Sequence, residues 1–395
     1  MRINILLISV LLVQQLAGQS WSRIHQKGIL VDTHNDILMK STNDSISNNA
    51  DFAFDKNLTG KTHSDLARWK EGGLDVQVFS VYCDGHMPHP FHFANRQLDT
   101  LDAVIARNPG LIVKVSNSSE LMKVVKQRKI AAMAGVEGGH MIEDDLNNLD
   151  ALYTRGVRYM TLTWNNSTSW ASSAWDETFT KDLPHKGLTD FGRSVVKRMN
   201  QLGMLVDVSH VGETTFWDVI NTTTKPIIAS HSSVYTLCHH QRNLKDDQIK
   251  AIAKNGGVIQ INFNPGFIDS SFDAKEKAFF LKHKAEGDSL AAAGIDDWYM
   301  QEWLYRKYKT EADAIRPPLS TLIDHFEYII KLVGVDYVGI GSDFDGITIT
   351  PEGLDDVTGY PLITKALLER GYNKNDIYKI LGGNFLRVLK ANEVK

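Results

Sequence analysis

Histidine and carboxylate side chains recur directly after short apolar runs in this 395-residue sequence. The runs end in "VDTHND", "GVEGGH", "VDVSH", "IASH" and "GIGSDFDG". The side chains concerned are, in chain order, His34, Asp36, Glu137, His210, His231 and Asp343. Neutral imidazole and carboxylate together suit zinc and its first-row neighbours. Because three histidines with three carboxylates exceed what one tetrahedral ion needs, the pattern predicts a centre for two ions.

Two ions a few ångströms apart need a ligand that reaches both, and a carboxylate has two oxygens for this. Glu137 is the candidate for that bridge. We assign His34 and Asp36 with Glu137 to one ion, and His210 and His231 with Glu137 to the other. The expected cofactor is two Zn²⁺ per chain with a shared water or hydroxide as the nucleophile, although cobalt and manganese use the same ligand types.

Two further residues are candidates for the reaction itself. Asp343, near the bridging water, could take the proton of the nucleophile and pass it to a leaving amine. Asp345 comes later in the same loop and is interpreted as a loop-capping residue. Arg242, in "HHQRNL", could hold a substrate carboxylate with two parallel hydrogen bonds. A salt bridge between loops is the alternative interpretation of Arg242.

The histidine-rich segment "DGHMPHPFHF" receives no role at the centre. A tract of this kind can bind metal, but Pro88 and Pro90 break any regular ligand spacing. We therefore interpret it as a surface loop near the mouth of the site. Its histidines are His86, His89 and His92.

The elements that must position the candidate residues alternate along the chain. Eight apolar, β-branched runs each end in polar residues, and stretches with helical spacing of apolar residues separate them. The runs span residues 28–34, 74–82, 130–138, 157–164, 203–210, 226–231, 257–263 and 336–346. Eight strand–helix units favour an α/β fold of the (β/α)8 TIM-barrel type over a doubly wound open sheet. The working face of such a barrel is the carboxyl end of its strands, where all six candidates lie.

The interval from about residue 264 to residue 320 is the longest between two runs, and it is predicted to be a helical insertion before the last strand. No Pro/Gly/Ser-rich linker interrupts the chain, so residues 21–395 are expected to form one barrel domain. Cys83 and Cys238 are the only cysteines, and we favour two unpaired thiols because a chain of this length can bury a core without a disulfide.

Residues 1–20 have one early positive charge, an apolar stretch and small residues near their end, as a secretory signal peptide does. The apolar stretch is too short to span a membrane. We therefore expect an exported protein, periplasmic or secreted, with no membrane anchor. The formal net charge of −4 does not favour binding to nucleic acid, which requires a basic surface.

The motifs taken together resemble those of the renal (membrane) dipeptidase family of amidohydrolase-like barrels. The resemblance extends over about residues 28–390 and includes the "RN" that contains Arg242. It implies that His34 and Asp36 bind one zinc, that Glu137 bridges, and that His210 and His231 bind the second zinc. It also implies that Asp343 is the acid/base and that Arg242 holds the terminal carboxylate of the substrate.

The resemblance further implies hydrolysis of dipeptides, including some with a D-residue at the C-terminal side, and a homodimer. One position departs from the family. A histidine that contacts the substrate carbonyl commonly follows the fourth strand, whereas "LTWNN" has Trp164 there. The indole can donate one hydrogen bond but cannot become a cation, and loss of an oxyanion donor typically lowers turnover about 10²- to 10³-fold.

These residues are compatible with three functions. The first is a two-zinc dipeptidase with Trp164 at the substrate. The second is a related two-metal hydrolase acting on another amide or ester. The third is a non-catalytic metal-binding protein, which is disfavoured because a structural zinc site uses four protein ligands and leaves no place for water.

Overall fold

The computed structural model describes residues 21–42 and 52–394. Nine β-strands lie in these residues. They are β1 (Val31–Asp32), β2 (Val76–Tyr82), β3 (Ile112–Lys114), β4 (Ile130–Glu137), β5 (Val157–Thr161), β6 (Leu205–Asp207), β7 (Ile228–Ala229), β8 (Val258–Ile261) and β9 (Val338–Ile340). The predicted signal peptide, residues 1–20, lies outside the described part of the chain.

The strands form one parallel sheet in the order β1-β2-β4-β5-β6-β7-β8-β9. The two ends of this order approach each other. The amide of Thr33 donates to the carbonyl of Ile340 at 3.2 Å, and the amide of Asp36 donates to the carbonyl of Phe344 at 3.0 Å. A parallel bridge between Asn35 and Phe344 lies between these bonds. The predicted (β/α)8 barrel is therefore confirmed, and each of the eight expected runs contains one of its strands.

The short strand β3 was not predicted. It pairs with the first residues of β4, outside the barrel order, through Ile112 and Ile130. Three residues are too few for an alternating or continuous apolar pattern to stand out, so the sequence gives no signal for this strand.

Helices follow the strands and cover the outside of the barrel. The α-helices are α1 (21–27), α2 (Ile37–Thr42), α3 (Leu66–Glu71), α4 (Pro90–Arg107), α5 (Ser118–Lys126), α6 (Leu146–Thr154), α7 (Ala174–Phe179), α8 (Asp190–Leu202), α9 (Glu213–Thr222), α10 (Asp246–Asn255), α11 (Pro265–Ile268), α12 (Phe272–Lys282), α13 (Lys284–Ala292), α14 (Asp297–Lys307), α15 (Lys309–Ile315), α16 (Leu319–Val333), α17 (Tyr360–Glu369), α18 (Lys374–Tyr378) and α19 (Asn384–Asn392). Single 3₁₀ turns span Gly139–Ile142, Val335–Tyr337 and Val357–Gly359, and a π-turn spans Lys379–Gly383.

Helix α8 illustrates how these helices are defined by sequence. The side chain of Thr189 accepts a hydrogen bond from the backbone of Gly192 and begins the helix. Gly203 ends it with φ of 80°, a left-handed conformation that glycine adopts without steric cost. Val195, Val196 and Met199 recur at helical spacing and are buried against the barrel.

Helices α11 to α15 lie between β8 and β9, in the interval predicted to be a helical insertion. Five of their side chains form a small apolar cluster with Ile349 from the loop after β9, and these are Phe272, Phe279, Leu304, Tyr305 and Ala312. Among the described residues, no helix combines the length and the apolar character needed to cross a membrane. Cys83 and Cys238 are both buried free thiols, as favoured from the sequence.

Candidate metal centre and substrate cavity

His34 and Asp36 leave the carboxyl end of β1 and point into a buried cluster. The Nε2 atom of His34 lies 3.4 Å from Oδ2 of Asp36 and 3.3 Å from Oε2 of Glu137. On its other side, Nδ1 of His34 lies 2.8 Å from the hydroxyl of Tyr159. His34, Asp36 and Glu137 are all buried. Strands β1 and β4 therefore bring one imidazole nitrogen and two carboxylates together.

A second group of ligand atoms meets at the other oxygen of Glu137. Its Oε1 lies 2.9 Å from Nε2 of His210 and 3.4 Å from Nε2 of His231. The two Nε2 atoms lie 3.0 Å apart. Glu137 thus directs one oxygen towards His34 and the other towards His210 and His231, which is the arrangement that a bridging carboxylate requires.

The spacing of these atoms fits small cations. Ligand atoms bound about 2.0–2.1 Å from a tetrahedral Zn²⁺ lie about 3.4 Å from one another, and the separations given above range from 2.9 to 3.4 Å. Nε2 of His34 and Oδ1 of Asp36 are buried polar atoms with no hydrogen-bond partner. Because buried polar groups are normally satisfied, these two atoms are available as ligands.

Electrostatics around the first group of ligand atoms, those of His34, Asp36 and Glu137, favour a cation. Burial disfavours the charged form of His34, but Tyr159, Asp36 and Glu137 outweigh burial and raise the pKa of His34 well above its ordinary value. Burial likewise disfavours the charged form of Glu137. The neighbouring His34 and the hydrogen bond with His210 outweigh it and hold the pKa of Glu137 well below its usual range. The two carboxylates therefore require positive charge between them.

The two histidines of the second group are held in their neutral form. Burial and, after it, the charge of Arg242 lower the pKa of His210 to about 3. Burial, with the nearby His34, lowers the pKa of His231 well below its ordinary value. Neutral imidazole is the form that binds metal ions, so both rings are prepared for this role at neutral pH.

Two residues of the site have a left-handed backbone. The φ angles are 63° for His210 and 65° for Asp343. This conformation costs a residue with a Cβ atom about 1–2 kcal/mol, and such conformations concentrate at functional sites. The backbone strain therefore coincides with the two loops that turn these side chains towards the centre.

Asp343 lies at the edge of the first group. Its Oδ1 is 4.0 Å from Nε2 of His34, and its Oδ2 accepts a hydrogen bond from Nδ2 of Asn262 at 2.9 Å. Burial, reinforced by Asp36 and Glu137, raises the pKa of Asp343 to about 8. One oxygen is thus fixed by an amide, while the other faces the ligands and can carry a proton.

Asp345, in contrast, holds the loop together. It is buried, its Oδ1 accepts from the amide of His63 at 2.8 Å, and its Oδ2 accepts from the hydroxyl of Ser64. These contacts agree with the structural role interpreted from the sequence.

Arg242 is buried beside the second group. Its Nη2 donates to the carbonyl oxygen of His231 at 3.2 Å, its guanidinium lies 5.5 Å from the ring centroid of Phe267, and its Nε has no partner. Burial lowers the pKa of Arg242 to about 10, so the side chain stays charged at neutral pH. A buried guanidinium with an unused donor can bind a carboxylate.

These residues line one cavity of about 730 Å³, which Asp36, Glu137, His210, Asp343 and Arg242 all reach. Trp164 also lines it, with its ring centroid 5.1 Å from that of Tyr82 and 6.4 Å from that of His210.

The histidines of the segment "DGHMPHPFHF" do not line this cavity. His86 and His89 are exposed in the loop before α4, whereas His92 lies within α4 and not in the loop predicted for it, because Pro90 begins the helix.

The residues that orient the predicted ligands were not identified from the sequence. Nδ1 of His210 lies 3.2 Å from Oδ1 of Asn165. Nδ1 of His231 lies 2.8 Å from the hydroxyl of Ser230, which donates to Asp207 at 2.5 Å. A polar residue inside an apolar run, such as Asp207 in "LVDVSH", is the only signal that the sequence offers for such partners.

Known proteins resemble this chain over nearly its whole length. A family model described as membrane dipeptidase (Peptidase family M19) matches residues 19–395. An uncharacterized dipeptidase of Schizosaccharomyces pombe is 33% identical over 399 residues, covering 96% of this chain and 84% of that protein.

Solved structures share the barrel at lower identity. The probable dipeptidase PvdM from Pseudomonas aeruginosa superposes with a TM-score of 0.76 at 24% identity, over 96% of this chain and 98% of that chain. A metallo peptidase from Rhodobacter sphaeroides, liganded with a phosphinate mimic of the dipeptide L-Ala-D-Ala, gives a TM-score of 0.73 at 22% identity, over 93% and 100%. At these identities the likeness concerns the fold.

Proposed function

The chain belongs to the membrane dipeptidase family, and on this premise we propose that it hydrolyses the peptide bond of dipeptides at a centre of two zinc ions. The observation that carries the proposal is the convergence of four ligand side chains around the two oxygens of Glu137. His34 and Asp36 would hold one ion with Glu137, and His210 and His231 would hold the other with Glu137.

The bound ions would lower the pKa of a water molecule and polarise the scissile carbonyl. The remaining chemistry belongs to the chain. Asp343 takes the proton of the attacking water at Oδ1, the oxygen that faces the ligands, and delivers it to the amine of the leaving residue. Asn262 holds Oδ2 and so fixes the direction of the carboxyl group.

Arg242 binds the free carboxylate at the C-terminal end of the substrate. Its burial strengthens a pair with a carboxylate because little water competes for the guanidinium. This contact restricts the substrate to molecules whose carboxylate lies one residue beyond the scissile bond, and a dipeptide has this feature. A D-residue at that position is part of the proposal, and the metallo peptidase liganded with the L-Ala-D-Ala mimic supports it.

A hydrolase of the same centre that acts on another amide or on an ester is the second candidate, and Trp164 favours it. The ring occupies the cavity wall beside His210, where it has one N–H donor to offer a substrate oxygen. Export to the periplasm or medium and a homodimer complete the proposal, and both are measurable by fractionation and by sedimentation.

Metal analysis and a dipeptide panel test the proposal together. We expect two equivalents of zinc per chain by elemental analysis and turnover of several dipeptides by the zinc-loaded protein. An Asp343→Asn variant should keep both zinc ions and lose about 10²- to 10⁴-fold in kcat. A chain that binds one equivalent or none contradicts the two-ion centre. Absence of dipeptide turnover, with turnover of other amides or esters, would favour the second candidate.

A further inference from the structure

The cavity has two unlike ends. Arg242 gives one end a cation. The other end is made of large apolar and aromatic side chains, namely Met39, Met87, Phe93, Ile295, Trp298 and Tyr299. Lining of this kind binds apolar groups through surface burial and through contacts with rings and sulfur. The second end is not used by any step of the reaction described above.

The barrel order locates the apolar end relative to the ligands. Arg242 follows β7, whereas Met39 comes three residues after Asp36, in the helix that follows β1. Met87 and Phe93 follow β2, which pairs with β1. Met39, Met87 and Phe93 therefore lie beside the first two strands, across the barrel from β7 and Arg242, with the ligands from the strand ends between them.

A dipeptide bound in this cavity would span both ends. With its carboxylate on Arg242 and its amide at the ligands, its N-terminal residue extends towards β1 and β2. The cavity volume of about 730 Å³ is large for two small residues. The carboxylates that also line the cavity, Asp84 and Asp296, belong to exposed residues, where they favour an ammonium group and disfavour an acidic side chain.

The insertion is fixed to the barrel at this end. Nζ of Lys40 lies 2.5 Å from Oε1 of Glu302 and 5.9 Å from the ring centroid of Trp298. Lys40 is 1% exposed, so the pair is shielded from water. Glu302, Trp298 and Tyr299 all belong to α14. One buried ion pair thus sets the position of the helix that carries two of the apolar cavity residues.

We propose that Met39, Met87, Phe93, Ile295, Trp298 and Tyr299 form a subsite for the side chain of the N-terminal residue, and that this subsite selects large apolar residues. The proposal rests on the dipeptidase function proposed above. Lys40 is a positioning residue for the subsite, since it acts through α14 and does not line the cavity.

The test compares two series of dipeptides. The first series varies the N-terminal residue in Leu-Ala, Phe-Ala, Gly-Ala and Asp-Ala, and the second varies the C-terminal residue in Ala-Leu, Ala-Phe and Ala-Gly. The zinc-loaded full chain should prefer Leu-Ala and Phe-Ala over Gly-Ala in kcat/KM, and Asp-Ala should be the poorest substrate. Tyr299→Ala should reduce the preference for Leu-Ala over Gly-Ala about 10-fold, with little change in the second series.

Three further variants make the test specific. Ile295→Ala, at an exposed turn, should reduce the same preference and serves if Tyr299→Ala does not fold. Trp303→Ala, on the same helix but away from the cavity, is the matched control and should leave selectivity unchanged. The Tyr299 hydroxyl is buried without a partner, so Tyr299→Phe should also retain selectivity.

Several outcomes overturn the subsite. They are a wild-type preference for Gly-Ala or Asp-Ala, unchanged selectivity in both Tyr299→Ala and Ile295→Ala, a change confined to the C-terminal series, or a loss of selectivity in Tyr299→Phe. Turnover of dipeptides without these preferences overturns the subsite and leaves the proposed function intact. Absence of turnover for all dipeptides overturns both.

Discussion

The imidazole of His34 and the hydroxyl of Tyr159 are joined by a contact of 2.8 Å, and the same hydroxyl donates to the carbonyl oxygen of Thr33 at 3.1 Å. A phenol has one proton to donate. Because Thr33 takes it, Tyr159 accepts the proton on Nδ1 of His34. Nε2 is then the nitrogen that faces Asp36 and Glu137, and a bound metal ion would take the place of its proton. Tyr159 thereby fixes the tautomer in which His34 can bind a metal ion.

A Tyr159→Phe variant should lose this control. We expect the affinity for the ion held by His34 to fall about 10- to 100-fold, since loss of a partner behind a ligand has costs of this size. Titration of the metal-free protein with Zn²⁺ and a competing chelator measures the change. Tyr153→Phe, on helix α6, is the control. Unchanged affinity in Tyr159→Phe would contradict the orienting role.

A Ser230→Ala variant should affect the other ion. The hydroxyl of Ser230 connects Nδ1 of His231 to the buried carboxylate of Asp207. Its removal leaves the proton on Nδ1 without an acceptor, and the ion held by His231 should bind about 10- to 100-fold more weakly. In the same titration, Ser230→Ala and Tyr159→Phe should weaken different sites. Equal weakening of both sites in each variant would argue against separate ligand sets.

An Arg242→Lys variant tests recognition of the carboxylate. Lysine keeps the charge but cannot form two parallel hydrogen bonds. We expect KM for free dipeptides to rise about 10- to 100-fold, while the low activity on dipeptide C-terminal amides changes little. Arg198→Lys, which removes a bidentate surface pair with Asp150, is the control. Equal losses on acids and amides in Arg242→Lys would show that Arg242 does not bind the carboxylate.

His325 should make the fold sensitive to acid. It is fully buried, its Nδ1 accepts from the amide of Val234 at 3.1 Å, and its Nε2 donates to the carbonyl of Ile268 at 3.1 Å. Burial lowers its pKa from 6.5 to about 4. The folded chain therefore binds this proton more weakly than the unfolded chain. The contribution of neutral His325 to the free energy of unfolding is fully present above pH 6.5. It is lost as the pH falls to 4, by about 3 kcal/mol in total.

Denaturant unfolding of the metal-free protein between pH 7 and pH 4 measures this loss. His325→Gln lacks the titrating imidazole at this position. Its free energy of unfolding should therefore fall less steeply than that of the wild type as the pH is lowered. His92→Gln, at an exposed position on α4, should follow the wild-type profile. Parallel profiles for His325→Gln and wild type would contradict the assignment.

The sequence predicted the barrel and the side chains at its strand ends for one reason. In a parallel barrel the carboxyl ends of all strands meet on one face, so His34, Glu137 and His231 could be brought together without knowledge of any contact. Each of them lies at a position that the strand pattern alone defines.

Contacts between distant residues could not be predicted in this way. Tyr159 reaches His34 across 125 positions of the chain, and the ring fits because Gly135 has no side chain to fill the space. The apolar spacing of the insertion predicted helices, but it did not indicate that Trp298 and Tyr299 would line the cavity. Such contacts depend on how distant helices and strands pack against each other. The local spacing of apolar residues does not specify this packing.

The closure of the barrel between β1 and β9 also determines when, during synthesis, the fold and the proposed metal centre can be completed. All five proposed ligands have been synthesised once the chain reaches His231, just after β7, yet the strand that bears His34 still lacks its neighbour on one side. That neighbour is made roughly 300 residues after β1, about 15–60 s later at ordinary rates of translation. From the synthesis of His231 until that of β9, a growing chain therefore carries the full ligand set on a sheet with an open edge. We therefore expect the proposed centre to bind metal in the released, closed chain and not in the nascent one.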